Sequence, residues 1–355
     1  MKTLSRYISV RLGVGWLLVF LILTSLFSFL ELVGQLDDIG KGSYHVSDAF
    51  MYVLYTLPGR ALDLAAVCSL IGAIVGLGTL ANSHELLSMR ACGVSVFQIA
   101  GVVLKTGSVI MLGVLFLAQF VVPPLEQQAK INREIAISGE GALLPTGGFW
   151  TRDQNRLINI RTSQNGVGLA HVSVYEFDDD GKPTRCVIAD DAKMAEDGRW
   201  VGTDVRQVLF QDDQVYDRKI PTITMDVLLN TRQIDILKTT PDVLSLDKLF
   251  RYIQVLQDKG QNADQYVLSL WQKTTLPIKV GTMILFALPF VFGSAREANP
   301  GRRVTLGTSV GIAYYYFEQS LGYMGLLIGL HPAFTTLMPL AIIALLAKWF
   351  MLRVP

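Results

Sequence analysis

Apolar residues are concentrated in two blocks of this chain, one from residue 1 to about 123 and one from about 276 to the C-terminus. A helix needs about 20 apolar residues to cross a hydrocarbon core of about 30 Å. Six windows meet this requirement, at about 12–34, 61–81, 96–122, 275–295, 304–327 and 333–352. The pattern predicts a membrane protein with six transmembrane helices and a polar insertion between the third and the fourth.

The polar insertion has the alternation of β-strands. Apolar and polar residues alternate with a period of two in 156–161 and 169–177, as expected where one face of a strand is buried. Further strands are predicted at about 148–152, 184–195, 199–210 and 222–230. Short, evenly spaced strands of this kind form a sandwich, a jelly roll or an open barrel. The inward face of the first two strands is predicted to carry Ile158, Ile160, Val172 and Val174.

These patterns divide the chain into three parts. Residues 1–123 hold the first three spans, 124–245 an all-β, jellyroll-like domain, and 246–355 an amphipathic helix and the last three spans. The amphipathic helix is predicted over 246–256, where apolar residues recur at helical spacing. The predicted fold class is therefore a membrane α-helical bundle of six helices with an inserted β domain.

Positive charge is distributed unevenly around the predicted spans, although the net charge of +1 is uninformative by itself. If six spans are counted, the basic residues of the short flanking segments fall on one side: Lys2, Arg6, Arg11, Arg90, Arg296, Arg302, Arg303, Lys348 and Arg353. Because Lys and Arg of short loops stay in the cytoplasm, both termini are predicted to be cytoplasmic and the β domain to lie outside.

Residue types that carry catalysis or bind metals do not occur here in recognisable patterns. The 4 histidines share no metal-ligand spacing. The run 34–43 lacks the spacing and the hydroxyl residue of a phosphate-binding loop. No nucleophile elbow or paired-carboxylate pattern occurs either. The sequence therefore predicts a non-catalytic protein without a metal, a cofactor or an ATP site of its own.

A short helix is predicted in the loop between the second and third windows, at about 82–93. Asn82 with Glu85 three residues later resembles a capping box, and Gly93 is a natural stop. The residues between them include apolar and basic side chains in a loop that faces water: Leu86, Leu87, Met89 and Arg90. Such a helix suits docking into the groove of a partner protein, or resting on lipid headgroups.

Several segments together resemble a known family. The run 70–78 followed by 83–93 looks like the second span and coupling helix of the lipopolysaccharide export permeases, the LptF/LptG family. The segment 259–273 with Pro277, and the run 290–293, are similar to the re-entry region of the LptG type. The resemblance covers essentially the whole chain.

The resemblance implies a permease subunit of an ATP-binding-cassette transporter. Such a subunit extracts lipopolysaccharide from the outer leaflet of the inner membrane and passes it to a periplasmic β-jellyroll bridge toward the outer membrane. The implied partners are a homologous LptF-type permease, a cytoplasmic LptB-type ATPase dimer, an LptC-type single-span adaptor and the bridge, with no nucleic acid. The implied ATPase-coupling residues are Glu85, Leu86, Met89, Arg90 and Gly93. The inward β positions Ile158, Ile160, Val172 and Val174 are expected to relay the lipid.

The phosphates of such a lipid require basic residues at the outer membrane level. The candidates are Lys41, Arg60, Lys130 and Arg133, of which the last two match basic positions for headgroup contact in the family. Each is equally compatible with a local ion pair, such as Arg60 with Asp63.

The stretch 35–41 departs from the family, because it is acidic where lysines are expected. Either Asp37 and Asp38 hold a bridging divalent cation, or headgroup binding has moved to the other cations and to the partner subunit. We favour the second, since two adjacent aspartates without further oxygen ligands form a weak cation site.

Other classes of function stay open at this stage. One is the LptF-type partner of the same family, and another is a non-transporting scaffold or receptor with a periplasmic β domain. An ion-driven transporter would need carboxylates near the membrane midplane, where only Glu318 is a candidate. Glu318 and Lys105 are costly in lipid and are expected to face a cavity or a partner. Gly72 and Gly76 form a small-residue face that serves either as a gate between subunits or as static packing.

Overall fold

The computed structural model describes residues 2–138, 149–153, 155–164, 168–178, 182–194, 200–211, 214–225, 243–258, 262–292 and 300–352. Before the β domain the helices are α1 (Lys2–Leu36), α2 (Val46–Asp63), α3 (Ala65–Asn82), α4 (Glu85–Ala91), α5 (Val96–Phe116) and α6 (Val122–Ser138). A π-helical turn, Leu117–Val121, joins α5 to α6. After the β domain come α7 (Leu246–Asp258), α8 (Asp264–Phe292), α9 (Pro300–Ile328) and α10 (Pro332–Leu352).

Five segments of the described chain are long and apolar enough to cross a membrane: Lys2–Leu36, Ala65–Asn82, Val96–Ile137, Asp264–Phe292 and Pro332–Leu352. They correspond to five of the six predicted windows. The remaining window, 304–327, is occupied by α9, a helix of 29 residues. Its run Tyr314, Tyr315 and Tyr316, followed by Glu318, lowers its hydropathy below that of the other five.

Helix α2 was not anticipated from the sequence. The second window was expected to start at about 61, whereas the chain is already helical from Val46 and is interrupted only at Leu64. The backbone N–H of His45 donates to Asp48 Oδ2 at 2.8 Å, which satisfies an otherwise unpaired donor at the start of α2. Hydropathy missed this helix because its apolar run, residues 49–55, is short and polar residues flank it on both sides, among them Asp48 and Arg60.

The bundle is centred on α3, most of whose side chains are buried. Leu70, Ala73 and Leu77 are completely covered and belong to a core shared by α1, α5, α8 and α10. Many apolar side chains of α1 and α10 point outward instead, as expected for helices that contact lipid.

Helices α1 and α3 cross in backbone contact at three glycines. A Cβ atom added to Gly15 would lie 2.5 Å from Gly76 Cα, and one added to Gly72 would lie 2.6 Å from Trp16 Cα. No side chain fits in such a crossing, which is why a small residue recurs there. The small-residue face of α3 therefore packs within this chain, which favours static packing over a gate between subunits.

The β domain is a single six-stranded antiparallel sheet with the strand order β1-β2-β3-β4-β5-β6. Its strands are β1 (Phe149–Asp153), β2 (Arg156–Gln164), β3 (Gly168–Phe177), β4 (Pro183–Met194), β5 (Trp200–Gln211) and β6 (Gln214–Met225). The predicted β class is confirmed. In the described part of the chain the connections are sequential hairpins, so the sheet is a meander without the crossovers of a jelly roll.

Two boundaries of this domain differ from the sequence prediction. Helix α6 continues to Ser138, beyond residue 124, where the β domain was expected to start. The last strand was expected at 222–230, but β6 already begins at Gln214 and ends at Met225, and residues 226–230 lie outside the described residues.

Helix α7 is amphipathic, as predicted, and it buries Leu249, Tyr252, Ile253 and Leu256 on one face. Its first turn is attached to the π-helical turn after α5 by one side chain. Gln119 accepts a hydrogen bond from the backbone N–H of Leu246 at 3.1 Å and donates to Asp247 Oδ1 at 3.0 Å. The chain that returns from the β domain is thereby tied to the end of α5.

Candidate functional site

A compact group of polar side chains lies at the C-terminal end of α1. Asp38 accepts a hydrogen bond from Lys41 Nζ at 2.6 Å and is also bonded to Arg133 of α6. Arg133 Nε donates to Gln35 Oε1 at 3.0 Å, and the Tyr44 hydroxyl donates to the same oxygen at 3.3 Å. We refer to Gln35, Asp38, Lys41, Tyr44 and Arg133 as the Asp38 cluster.

The loop between α1 and α2 is held in place by its backbone. Ser43 N–H and Ser43 Oγ both donate to the carbonyl of Ala136, at 2.7 and 3.1 Å. Gly42 has φ +57°, and a Cβ there would lie 2.3 Å from the Ile137 carbonyl oxygen. Only glycine fits this contact, and the docked loop carries Asp38 and Lys41 to Arg133.

Within the Asp38 cluster two cations surround one carboxylate, and the neighbouring Glu134 lies 3.6 Å from Arg133 Nη1. The bonds from Lys41 and Arg133 hold the pKa of Asp38 below its usual value. Lys41 is 58% exposed, and the Arg133 guanidinium lies 5.8 Å from the centre of the Tyr52 ring. Arg133 is therefore held by two carboxylates, an amide and an aromatic face, while Lys41 remains accessible to an anion from solvent.

Arg60 is not part of this accessible group. Its side chain is only 14% exposed and lies between α1 and α2, where it donates to Ser28 Oγ at 3.2 Å and bonds to Thr56. It also forms an ion pair with Glu31 of α1, at 3.9 Å. The sequence analysis named only Asp63 as a possible partner of Arg60, because a sequence pattern relates neighbours along one helix and not residues of two helices.

Lys130, the fourth predicted headgroup residue, lies one turn before Arg133 on α6 and is partly buried. The structure therefore brings Lys41 and Arg133 together, with Lys130 close in sequence and Arg60 deeper in the bundle. Sequence reasoning missed Gln35, Tyr44 and Tyr52, for which no local pattern exists. It also considered Asp38 only as a ligand of a bridging cation or as a charge that repels phosphate, and did not predict its bonds to Lys41 and Arg133.

The short helix α4 is the second predicted site. The helix stops just before Gly93, as predicted, and this glycine has the positive φ, +90°, of a helix stop. Gly93 N–H donates to Arg90 O at 2.9 Å and Val94 N–H to Met89 O at 3.1 Å, the pair of bonds of a Schellman motif. Its start differs from the prediction, because Asn82 is the last residue of α3. The hydroxyl of Ser83 donates to Glu85 Oε1 at 2.8 Å.

One predicted coupling residue of α4 faces the wrong way for docking. Leu86 is 3% exposed and packs into the core of the bundle, with Met89 partly buried beside it. Leu87, in contrast, is 58% exposed. Residues three apart share a helix face and adjacent residues do not, so burying Leu86 and Met89 turns Leu87 outward.

A groove of about 560 Å³ adjoins this exposed side chain. It is lined by Leu87, Arg90, Ala91, Gly93, Val94, Ser95, Val96, Phe97, Met351 and Leu352. Phe97, on the first turn of α5, is 62% exposed. The sequence did not indicate Phe97, Met351 or Leu352, because the last two come from the opposite end of the chain.

The two intramembrane charges noted in the sequence have different surroundings. Glu318 of α9 forms a buried ion pair with Lys279 of α8 beside Tyr314, at a cavity of about 300 Å³. The sequence did not indicate Lys279. Lys105 is exposed on the surface of α5, in a groove next to α1.

The predicted inward face of the β domain is partly described. Ile158, Val172 and Val174 are buried, and Ile158 is opposite Val174 in the β2–β3 pair. Ile160 pairs with Val172, but its side chain lies outside the described residues. In the part of the chain that the structure describes, no group of three or more His, Cys, Asp or Glu residues is arranged to hold a metal ion.

Comparison with known proteins agrees with this architecture. The pattern of the family described as lipopolysaccharide export system permease LptF/LptG matches residues 6–353. The lipopolysaccharide export system permease protein LptG of Haemophilus influenzae is 28% identical over 353 residues, covering 99% of each chain. The protein of the same name from Escherichia coli (strain K12) is 30% identical over 352 residues, 99% of this chain and 98% of that one. The chain therefore belongs to the lipopolysaccharide export system permease LptF/LptG family, as a multi-pass permease subunit of the LptG type.

Proposed function

We propose that this chain extracts lipopolysaccharide from the outer leaflet of the inner membrane and releases it toward a periplasmic bridge, using ATP hydrolysed by a separate cytoplasmic protein. The proposal is supported by the positions of two surfaces along α1. The Asp38 cluster lies at its C-terminal end, and the groove of α4 lies near its N-terminal end. A helix of 35 residues is about 52 Å long, so one subunit presents these surfaces on opposite sides of a membrane.

The orientation follows from charge. Lys2, Arg6 and Arg11 lie on the first turns of α1, and Arg90 lies on α4 at the same end of the bundle. Because basic residues of short segments stay in the cytoplasm, this end and both termini are cytoplasmic. The Asp38 cluster and the β domain are then periplasmic, and α9 crosses the membrane as the sixth span.

Headgroup binding is assigned to the Asp38 cluster. A lipid phosphate can bond to Lys41 and to the outer N–H groups of Arg133 without displacing Gln35 or Tyr52, since a guanidinium has five donors. Asp38 keeps the two cations together when no lipid is bound. Lys130 on the preceding turn of α6 extends the same basic surface, whereas the largely buried Arg60 serves to join α1 and α2.

Coupling is assigned to the groove beside α4. An LptB-type ATPase dimer would insert an apolar side chain next to Leu87 and Phe97, with Glu85, Arg90 and Gly93 supplying polar and backbone contacts. The buried Leu86 and the partly buried Met89 transmit the movement of α4 to the bundle core. A homologous LptF-type subunit and an LptC-type adaptor complete the transporter, and ATP hydrolysis takes place outside this chain.

Lipid relay is assigned to the inner face of the β domain, whose described strands run from β1 to β6. Ile158, Val172 and Val174 are apolar, buried and adjacent in the sheet. Together with Ile160 they form the wall against which acyl chains would slide on the way to the bridge.

The headgroup assignment is tested by the lipid that co-purifies with the assembled transporter. The double variant Lys41→Gln, Arg133→Gln should retain at least about tenfold less lipopolysaccharide, since two charge-assisted phosphate contacts are worth about 1.5–3 kcal/mol each. The control is Lys248→Gln, which removes an exposed cation from α7, and it should bind lipid as the wild type does. Equal lipid retention by the double variant and the wild type would refute the assignment, provided that the complex assembles.

A further inference from the structure

A groove of about 780 Å³ runs between the N-terminal half of α1 and the middle of α5. It is distinct from both sites described above. Its walls are Lys2, Ser5, Arg6, Ser9, Gly13 and Trp16 from α1, and Lys105, Thr106, Val109 and Ile110 from α5. We propose that this groove binds an anionic glycerophospholipid from the leaflet at the N-terminal end of α1.

The groove is a built feature of the fold. Thr106 Oγ1 donates to Ser9 Oγ at 2.7 Å, which fixes the spacing of α1 and α5 at its floor. At its far end Trp16 Nε1 donates to Ser69 Oγ of α3 at 3.0 Å, which fixes the orientation of the indole. A volume of this size lies within the range of small-molecule sites.

The charges of the groove are all positive. Lys2, Arg6 and Lys105 line it, and within the described part of the chain none of them forms an ion pair with a carboxylate. Lys105 comes nine residues after Val96, which places it about 14 Å along α5. An unpaired ammonium group at that depth is costly in hydrocarbon, and an anion beside it removes the cost.

The deeper part of the groove is apolar and open. A Cβ added to Gly13 would meet nothing within 4 Å, so the surface of α1 has a gap at this turn. Val109, Ile110 and Trp16 line the same groove. From Lys2 to Gly13 the helix rises about 16 Å, a distance that suits the upper part of an acyl chain.

These two parts define the chemistry of the occupant. It must carry a phosphate with net negative charge at the level of Lys2 and Arg6, and an acyl chain that continues past Gly13. Basic pockets between transmembrane helices bind anionic headgroups in this way. A zwitterionic phospholipid carries an ammonium group of its own, so it has no net negative charge to neutralise the three cations of the groove. An acidic partner helix would supply a carboxylate but would not need the gap at Gly13.

The test uses the assembled transporter in nanodiscs that contain brominated phosphatidylglycerol or brominated phosphatidylethanolamine. Bromine quenches indole fluorescence at contact, and the contribution of Trp16 is obtained as the difference between wild type and Trp16→Phe. We expect this contribution to be quenched at lower mole fractions of phosphatidylglycerol than of phosphatidylethanolamine. Each of Arg6→Gln and Lys105→Gln should reduce the preference about fivefold, equivalent to about 1 kcal/mol per cation.

Two glycine variants separate lipid binding from folding. Gly13→Leu fills the gap and should abolish quenching at Trp16, whereas Gly34→Leu adds the same side chain at an equally open position near the other end of α1. Gly34→Leu should leave quenching and the melting temperature unchanged. The proposal is overturned if both lipids quench equally, or if the preference survives in Arg6→Gln, Lys105→Gln. If neither lipid quenches Trp16, a protein partner covers the groove. That result also overturns the proposal.

Discussion

Asp38 is an acidic residue at a position where phosphate binding is expected, and its contacts resolve the contradiction. Its carboxylate holds Lys41 on the loop and Arg133 on α6, two cations that would otherwise repel each other. The sequence offered a bridging metal ion or a displaced headgroup site as explanations. We continue to propose the second in a modified form, in which Asp38 holds together the two cations assigned to the phosphate.

Asp38 should make the stability of the chain dependent on acid pH. Its pKa is lowered because Lys41 and Arg133 bond to the ionised form. A carboxyl group whose pKa is lower in the folded than in the unfolded chain stabilises the fold. This stabilisation is complete at pH values above the unfolded-state pKa, 3.8 for Asp38, and it is lost as the pH falls below that value toward the folded-state pKa. We therefore expect the melting temperature in detergent to fall more steeply from about pH 5 to pH 3 in the wild type than in Asp38→Asn.

The matched control for this measurement is Asp37→Asn. Asp37 is exposed, and the described structure shows no hydrogen bond or ion pair of its side chain. Its acid profile should follow the wild type. Superimposable profiles for Asp38→Asn and the wild type would contradict the proposed role of Asp38.

Leu86 and Leu87 are adjacent in the sequence but should respond oppositely to the same substitution. Leu86→Asp places a carboxylate in the core and should lower the free energy of unfolding by about 3 kcal/mol or more. Leu87→Asp leaves the fold unchanged within about 0.5 kcal/mol and should weaken ATPase association about tenfold, since apolar anchors dominate such interfaces. The measurements are the melting temperature and co-purification of the ATPase. A destabilised Leu87→Asp, or normal ATPase binding by a folded Leu87→Asp, would disprove the assignment.

At the scale of elements, the bundle depends on close helix contacts that only small residues allow. Gly15, Gly72 and Gly76 let the backbones of α1 and α3 touch. Helix α9 is joined to α8 in a different way, through the buried pair of Lys279 and Glu318. Such a pair specifies how two helices fit together more than it adds to stability, because both charges lose their hydration.

The glycine crossing can be tested by two alanine substitutions in the same helix. Gly76→Ala would place its Cβ 2.6 Å from the Arg11 carbonyl oxygen, so α1 must move away. We expect a loss of about 1–3 kcal/mol, the usual cost of overpacking. Gly78→Ala meets nothing within 4 Å and should be neutral or slightly stabilising, because alanine favours the helix. Thermal unfolding of both variants is the measurement, and equal effects would show that the crossing tolerates separation.

At the scale of the whole molecule, the proposed function requires α4 and the Asp38 cluster to face different compartments. Cys92, just after α4, is exposed, whereas Cys68 and Cys186 are buried. The exposed thiol of Cys92 therefore shows, by its labelling, which compartment the α4 end of the bundle faces. An engineered thiol at position 37 reports the opposite end.

A membrane-impermeant maleimide distinguishes the two compartments in intact cells with a permeabilised outer membrane. Asp37→Cys in a Cys92→Ser background should be labelled at once, and Cys92 of the wild type only after the inner membrane is opened. Cys92→Ser alone serves as the control for the buried thiols. Labelling of Cys92 in intact cells would reverse the proposed orientation.

The sequence by itself determined the membrane class, five of the spans and the presence of the β-strands. It also determined the amphipathic α7 and the stop at Gly93. These features depend on hydropathy, on periods of two or 3.6 residues and on the backbone freedom of glycine, which are properties of neighbouring residues. Resemblance added the family, because its motifs combine over the whole chain.

Tertiary structure decided which residues of those elements are available for function. Helix α2 and the burial of Arg60 depend on packing between helices, and Leu86 is covered only because α4 folds onto the bundle. Lys279 with Glu318, and Phe97 with Met351, come from distant parts of the chain. The free energy of a buried charge or an exposed apolar group depends on what surrounds it in space. No local pattern contains that information, so the sites became definite only in the folded chain.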